Sequence, residues 1–179
     1  MTPTPGLAGV LAELAIMTSA AERDVRLTIR KILYSASGDA PRPEGGEPAA
    51  DAIDMVARQG GFLSRMVDPA SLPSWLTEAD LEFYVREFAR TGFRGGLNWY
   101  HNIDRNWEVL APFGGARVMV PAVYVAGDRD LVLRFLGMDL AKFVPQLRRT
   151  IMLPGCDNWA QQERANEVNA AMIEFLRSP

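Results

Sequence analysis

The chain has 179 residues, of which 48% are hydrophobic, and a formal net charge of −3 at neutral pH. This length and composition fit one soluble globular domain with a sizeable core. The mildly acidic balance gives no reason to expect a nucleic-acid partner. The single cysteine, Cys156, excludes an internal disulfide. No apolar run is long enough to span a bilayer.

The N-terminal stretch GLAGVLAELAIM has the apolar character of a signal peptide, but Glu13 interrupts it and no Lys or Arg precedes it. Its apolar residues recur at helical spacing, at Leu7, Val10, Leu11 and Leu14. We therefore interpret residues 1–20 as a helical segment rather than a targeting segment. We expect a cytoplasmic protein without a membrane partner.

Amphipathic helices are predicted in the part of the chain that precedes residue 112. The first has an apolar stripe at Val25, Ile29, Ile32 and Leu33. GDAPRPEGGEPAAD then predicts an exposed loop. A second helix begins at Thr77, where TEAD resembles a capping box with Asp80 in place of the usual Glu, and ends at Gly92. Its buried stripe is Leu81, Tyr84, Val85 and Phe88.

A third helical stretch follows a glycine pair, and it places Trp99, Ile103 and Trp107 on one face. Near Pro112 the sequence changes from amphipathic helical patterns to a mostly apolar, β-rich run. The apolar run ARVMVPAVYVAGDRD predicts a parallel strand buried on both faces, from Pro121 to Ala126, because a proline suits the start of a strand.

LAKFVPQLRR predicts a short crossover helix, RTIMLPG a second strand, and QQERANEVNAAMIEFLRS a final helix. The apolar stripe of the final helix is Val168, Met172, Phe175 and Leu176. Strand, helix, strand and helix in this order form a right-handed parallel unit. The predicted fold class is therefore α/β but mostly helical, with a helical part followed by a strand-helix-strand-helix unit with a short parallel sheet.

Two loops are candidates for a site, because ligands of open α/β sheets bind at the carboxyl ends of the strands. They are GDRD, residues 127–130, and PGCDNW, residues 154–159. An acid after one strand and a base after the next is the order of the last two triad members in α/β-hydrolases. Asp130 fits the acid, with a turn or helix-cap role as the competing interpretation, and we interpret Asp128 as a turn residue. Asn158 does not fit the base, because an amide has no titratable proton near neutral pH.

The sequence contains no Gly-x-[Ser/Asp/Cys]-x-Gly elbow for a nucleophile. The segments LTEADLEFYVREFARTGFRGGLNWYHNIDRNWE, VPAVYVAGDRD, FVPQLRRTIMLPGC and WAQQERANEVNAAMIEFL resemble the C-terminal half of a soluble epoxide hydrolase of the α/β-hydrolase superfamily. GFRGGLNWY is the most specific of these motifs. The resemblance implies a partial α/β-hydrolase fold, with a helical cap (lid) over residues 21–111 and the C-terminal part of the core over residues 112–179. Residues 1–20 are unmatched.

The resemblance also implies a reaction, the two-step hydrolysis of an epoxide to a vicinal diol through an alkyl-enzyme ester. Tyr100 matches a cap tyrosine that donates a hydrogen bond to the epoxide oxygen. Asp130 matches the acid that orients the catalytic His, and Asn158 occupies the position of that His. Trp99 and Trp107 match aromatic positions of the substrate pocket. The nucleophile, the oxyanion loop and the first cap tyrosine have no counterpart in this sequence.

The only histidine is His101, where the family often has an Arg. It is either a substitute base or a helix-surface residue. We favour the surface, because a residue next to Tyr100 points about 100° away on a helix.

We therefore predict an epoxide-hydrolase-like chain that is inactive alone, because its nucleophile and catalytic His are missing. One alternative is a non-catalytic interaction or small-ligand-binding module that reuses the cap, and another is an enzyme completed by a second chain. The resemblance implies a small apolar epoxide-like ligand and neither a cofactor nor a metal. A two-stranded sheet would leave an apolar edge, which predicts a weakly stable chain, a homo-oligomer through that edge or dependence on a partner.

Overall fold

A computed structural model describes residues 21–41, 62–130, 133 and 140–177 of the chain. The predicted helix over residues 1–20 lies outside these ranges, as does most of the predicted exposed loop. The chain divides into two compact units. The first comprises Met1–Ser35 and Pro41–Val109, and the second comprises Ala36–Ala40 and Leu110–Pro179.

The first unit is helical where it is described. Its helices are α1 (Val25–Ser35), α2 (Glu78–Thr91), α3 (Arg94–His101) and α4 (Ile103–Leu110), with a 3₁₀ turn at Phe62–Arg65. Its core is a hydrophobic cluster that contains Leu81 of α2, which is fully buried, Ile29 of α1 and Phe93. Partly buried members of both predicted stripes complete the cluster: Val25, Leu33, Tyr84, Val85 and Phe88. Burying a leucine in this way contributes roughly 1.5–3 kcal/mol.

Both ends of α2 are formed as the sequence predicts. The Thr77 hydroxyl accepts a hydrogen bond from the Asp80 N–H at 3.2 Å, and the Asp80 carboxylate accepts one from the Thr77 N–H at 3.0 Å. The Thr77 hydroxyl also donates to the Asp80 carboxylate at 2.5 Å, and this bond, together with the one from the Thr77 N–H, lowers the pKa of Asp80 below its usual value. At the other end, Gly92 adopts a φ of +69° and donates its N–H to the Phe88 carbonyl at 2.8 Å. The capping box and the glycine stop are therefore confirmed.

The second unit contains a parallel two-stranded sheet of β1 (Ala122–Gly127) and β2 (Leu147–Leu153). Its described helices are α5 (Leu140–Phe143), α6 (Ala160–Glu163) and α7 (Ala165–Arg177), and a 3₁₀ turn spans Ala111–Phe113. The predicted fold class, mostly helical with a short parallel sheet, is confirmed. No helix in the described part of the chain is long and apolar enough to cross a membrane.

The second unit departs from the sequence prediction in the continuity and burial of its elements. The predicted final helix is interrupted at Arg164, whose backbone is not helical, with φ −133° and ψ 46°. Of β1, only Ala126 and Gly127 are buried, so the prediction of a strand buried on both faces is wrong. In α7, Val168 is buried, whereas Met172 and Leu176 are 51% and 76% exposed. A sheet of only two strands is too small to cover all of these apolar side chains, so some of them stay exposed.

Replacing Thr77 with alanine removes the side-chain acceptor at the start of α2, which usually contributes about 1 kcal/mol. We expect Thr77→Ala to lower the midpoint of thermal unfolding by about 3 °C, as measured by circular dichroism. Thr91→Ala is the matched control, because its hydroxyl donates to the Glu87 carbonyl at the other end of α2. An equal loss in both variants would contradict a specific capping effect.

Candidate active site

The loops that follow β1 and β2 lie against each other. The Gly155 N–H donates to Oδ1 of Asp128 at 2.8 Å, and the Arg129 N–H donates to the Cys156 carbonyl at 2.9 Å. Gly127 is packed so closely that a Cβ there would overlap the Cys156 carbonyl. The structure thus brings together the two loops that the sequence singled out. The Asp128 side chain connects them, since its contact is with the loop after β2 rather than within its own turn.

Asp130 lies at the carboxyl end of β1 and is partly buried. Its N–H donates to the Gly127 carbonyl at 3.3 Å, and its own carbonyl accepts from the Leu133 N–H at 3.3 Å. Burial of Tyr124 raises the pKa of its hydroxyl, and the negative charge of Asp130 adds to this effect. Asp130 thus influences a side chain of the strand that precedes it.

Asn158 lies in the loop after β2 and is exposed. Its main-chain N–H donates to the Ala36 carbonyl at 3.2 Å, which fixes the backbone of the loop at this position. The residue before it, Asp157, is buried. The loop therefore presents the side chain of Asn158, and that side chain is an amide without acid–base chemistry near neutral pH.

The sequence analysis missed the residue that holds this loop in place, Glu163. The Glu163 side chain is buried, and its carboxylate accepts main-chain hydrogen bonds from two segments. The donors are the N–H groups of Gly38 at 2.7 Å, Asp157 at 3.3 Å and Trp159 at 3.2 Å. Gly38 is 125 residues away in the sequence, so no local motif could have revealed this contact.

The Glu163 contact also corrects the prediction that an exposed loop begins at Gly38. Gly38 and Ala40 are buried and belong to the second unit. A Cβ at Gly38 would overlap the Gly155 carbonyl oxygen, and the Arg129 guanidinium donates to the Gly38 carbonyl. The composition of this segment predicted a loop, but tertiary contacts bury it against the loop after β2.

Cys156 is fully buried beside these groups. Burial, together with the negative charge of Glu163, raises the pKa of its thiol from 9.0 to about 11. The thiol is therefore neutral at physiological pH, which disfavours a role as a nucleophile.

The aromatic site residues lie in the first unit. Helical hydrogen bonding continues across Asn102, whose N–H donates to the Asn98 carbonyl at 3.2 Å and whose carbonyl accepts from the Asn106 N–H at 2.7 Å. At about 100° per residue, one arc of the combined α3–α4 surface carries four apolar side chains. This aromatic stripe comprises Trp99, Tyr100, Ile103 and Trp107, which are 78%, 54%, 59% and 82% exposed.

The structure therefore groups the predicted site residues in two sets. Trp99, Tyr100 and Trp107 share the aromatic stripe of the first unit, whereas Asp130 and Asn158 lie on the adjacent loops of the second. His101 is partly exposed at the end of α3, with Nδ1 3.2 Å from the Asn98 side-chain oxygen. Within the described ranges, no cluster of three or more His, Cys, Asp or Glu side chains could hold a metal ion.

Replacing Glu163 with alanine would leave the N–H groups of Gly38, Asp157 and Trp159 without this acceptor, the first two of them buried. We expect a loss of about 2–4 kcal/mol in the free energy of unfolding of the second unit, measured by urea titration. Amide exchange of Gly38 and Asp157 should accelerate in the same variant. Glu167→Ala removes an exposed carboxylate from the first turn of α7 and should change little. Equal stability of the two variants would contradict the proposed role of Glu163.

The raised pKa of Cys156 predicts a slow thiol. At pH 8 we expect a disulfide reagent such as DTNB to modify the folded chain at least about 100-fold more slowly than the urea-unfolded chain, because the thiolate fraction is lower and the sulfur is buried. Stability should also decline as the pH rises from about 9 towards 11, because the unfolded thiol ionises first. Equal modification rates would refute the prediction.

Comparison with known proteins identifies relatives of this chain, although no protein-family model matches it. Epoxide hydrolase A of Mycobacterium tuberculosis is 43% identical over 136 residues, which is 75% of this chain and 42% of the relative. Epoxide hydrolase B of the same species is 38% identical over 173 residues, covering 87% of this chain and 49% of the relative. Bifunctional epoxide hydrolase 2 of Mus musculus is 36% identical, over 71% of this chain and 23% of its own length.

Solved structures give the same result. The crystal structure of Epoxide Hydrolase A from Mycobacterium thermoresistibile matches with a TM-score of 0.75 and 36% identity, over 91% of this chain and 49% of that one. An epoxide hydrolase from an endophytic Streptomyces matches with a TM-score of 0.78 and 33% identity, over 90% and 48%. The chain spans half or less of the length of these relatives. It is therefore a homologue of the epoxide hydrolases of the α/β-hydrolase family, with the extent of about half of one such protein, as its sequence motifs predicted.

Proposed function

We propose that this chain is the cap and the C-terminal part of the core of an epoxide-hydrolase-type protein, and that it does not hydrolyse epoxides by itself. The observation that carries the proposal is the loop after β2. It projects an exposed Asn158 at the position where the resemblance places the catalytic His. An amide can hold a water molecule but cannot remove a proton from it near neutral pH.

The first step of the family reaction, the attack on the epoxide, also lacks its reacting group in this chain. The family reaction requires a carboxylate to attack the epoxide, and the sequence contains no elbow motif that could present one. Cys156 does not replace it, because the thiol is buried and its raised pKa keeps it neutral. Neither formation nor hydrolysis of the ester intermediate therefore has its reacting group in this chain.

The residues that remain are suited to binding rather than to turnover. The Tyr100 hydroxyl is a donor for an epoxide oxygen, and the rings of Trp99 and Trp107 offer apolar surface to the rest of a small ligand. Asp130 is the acid that would orient a histidine, and in this chain its partner position carries an amide. The hydrogen-bond donor of Tyr100 and the apolar rings of Trp99 and Trp107 support a small apolar epoxide-like molecule as the ligand.

The exposure of the aromatic stripe favours the second candidate function, a module that binds a small ligand or another protein through the cap without catalysis. Large apolar side chains that are exposed together usually mark an interaction site. The two candidate functions differ in whether a ligand binds the aromatic stripe. An inactive epoxide-hydrolase-type chain needs no ligand there, whereas a binding module does. Quenching of tryptophan fluorescence by styrene oxide, reduced in a Tyr100→Phe variant, would favour the binding module.

The test of inactivity measures diol formation from styrene oxide by the purified chain. We expect no diol above the rate in buffer, and we expect Asn158→His to gain none, because a base without a nucleophile cannot complete the reaction. A full-length epoxide hydrolase serves as the positive control, and Asp130→Asn is the matched variant. Turnover by the wild-type chain that disappears in Asp130→Asn would show that the proposal is wrong.

A further inference from the structure

The aromatic stripe of α3 and α4 lies on one helical surface of the first unit. From Gly96 to Trp107 this surface is about 17 Å long, at about 1.5 Å per residue. At about 100° per residue, Gly96 falls in the middle of the arc that the four residues of the stripe occupy. Gly96 is exposed, and a Cβ there would meet no atom within 4 Å. The stripe therefore presents projecting rings and one open position on the same surface.

The charged residues of α3 and α4 all fall outside the arc of the stripe. Arg105 and Glu108 lie away from it, and they form an ion pair with each other at 3.0 Å. Asp104 adjoins the arc, about 40° beyond Tyr100. An apolar centre that contains Trp and Tyr side chains, with polar groups at its rim, is typical of a protein–protein interface.

The exposed area of the stripe is large enough for a specific interface. Trp99 and Trp107 are each more than three-quarters exposed, and Tyr100 and Ile103 are each more than half exposed. Since a large aromatic side chain contributes roughly 150–250 Å², the stripe exposes roughly 500 Å². Two such surfaces in contact would bury roughly 1,000 Å² before any surrounding surface is counted, which is what a specific interface requires. A small molecule would cover only part of the stripe, and ligand sites are concave whereas the surface of a helix is convex.

We propose that the aromatic stripe is the contact surface of a homodimer, in which a second copy of this chain packs antiparallel against it about a two-fold axis. The inference rests on the second candidate function, the binding module, and names a second copy as its partner. A two-fold contact uses the same surface on both copies. With the axis midway between Gly96 and Trp107, the Trp107 ring of each copy lies over the open position at Gly96 of the other, and Tyr100 lies beside Ile103. The stripe is therefore self-complementary.

Sedimentation velocity of the full chain, at concentrations from about 1 to 100 µM, measures the association. We expect a monomer–dimer equilibrium without larger species, because a two-fold contact is closed. Tryptophan emission should shift to shorter wavelength over the same range, as the rings of Trp99 and Trp107 leave water. Trp107→Ala should raise the dissociation constant of the dimer at least about tenfold, because it removes the most exposed side chain of the stripe.

The two neighbouring glycines of α3 give a matched pair of variants. Gly96→Leu fills the open position without a clash in the monomer, and leucine suits a helix better than glycine. The added apolar surface would strengthen non-specific association. The two-fold packing instead predicts a dimer that is at least about tenfold weaker, because Trp107 of the other copy loses its place.

Gly95→Leu is the control for this variant. A Cβ at Gly95 also meets no atom within 4 Å, but the residue falls outside the arc, about 40° beyond Trp99. We expect the Gly95→Leu chain to dimerise like the wild type. Circular dichroism verifies that both variants fold, and Trp107→Ala tests the inference without them.

Three outcomes would overturn the inference. The first is a chain that stays monomeric up to about 100 µM, and quenching by styrene oxide would then identify a small molecule as the occupant of the stripe. The second is association that persists unchanged in Trp107→Ala, which would place the contact on another surface. The third is an equal effect of Gly95→Leu and Gly96→Leu, which contradicts the two-fold packing. Diol formation by the chain would overturn the proposed inactivity without changing the sedimentation results, so failures of the two proposals are distinguishable.

Discussion

The carboxylate of Glu163 collects main-chain N–H groups from two segments that lie far apart in the sequence, around Gly38 and around Asp157. Because a buried carboxylate is stable only when its oxygens are hydrogen-bonded, the two segments must lie where they can reach it. This requirement draws residues 36–40 out of the helical part of the chain and into the second unit. It also fixes the loop after β2 and, through Asp128 and Arg129, the loop after β1.

The organisation of these loops contrasts with the chemistry that they present. The backbone around Asn158 is held by main-chain hydrogen bonds to Ala36 and Glu163, and the side chain at its tip is an amide. The position of the loop after β2 and the reactivity of the side chain at its tip therefore depend on different residues. The hydrogen bonds to Glu163 preserve the position of the loop, and the identity of one side chain decides whether a proton can be removed there.

Several large apolar side chains are exposed in the described part of the chain. Trp107 on α4 and Met119 before β1 are large side chains that folded proteins usually cover, and each is more than 60% exposed.

The sequence by itself determined the local features of this protein. Helical periodicity predicted the core stripe around Leu81, the pair Thr77 and Asp80 predicted the start of α2, and the motifs around Tyr100 and Asp130 indicated the family. These features depend on neighbours a few residues apart, which a sequence displays directly. Only the tertiary structure decided that Gly38 is buried, that Glu163 holds the loop after β2 and that β1 is half-exposed. Each of these depends on groups that are distant in the sequence or on how far the sheet extends, and neither leaves a local pattern.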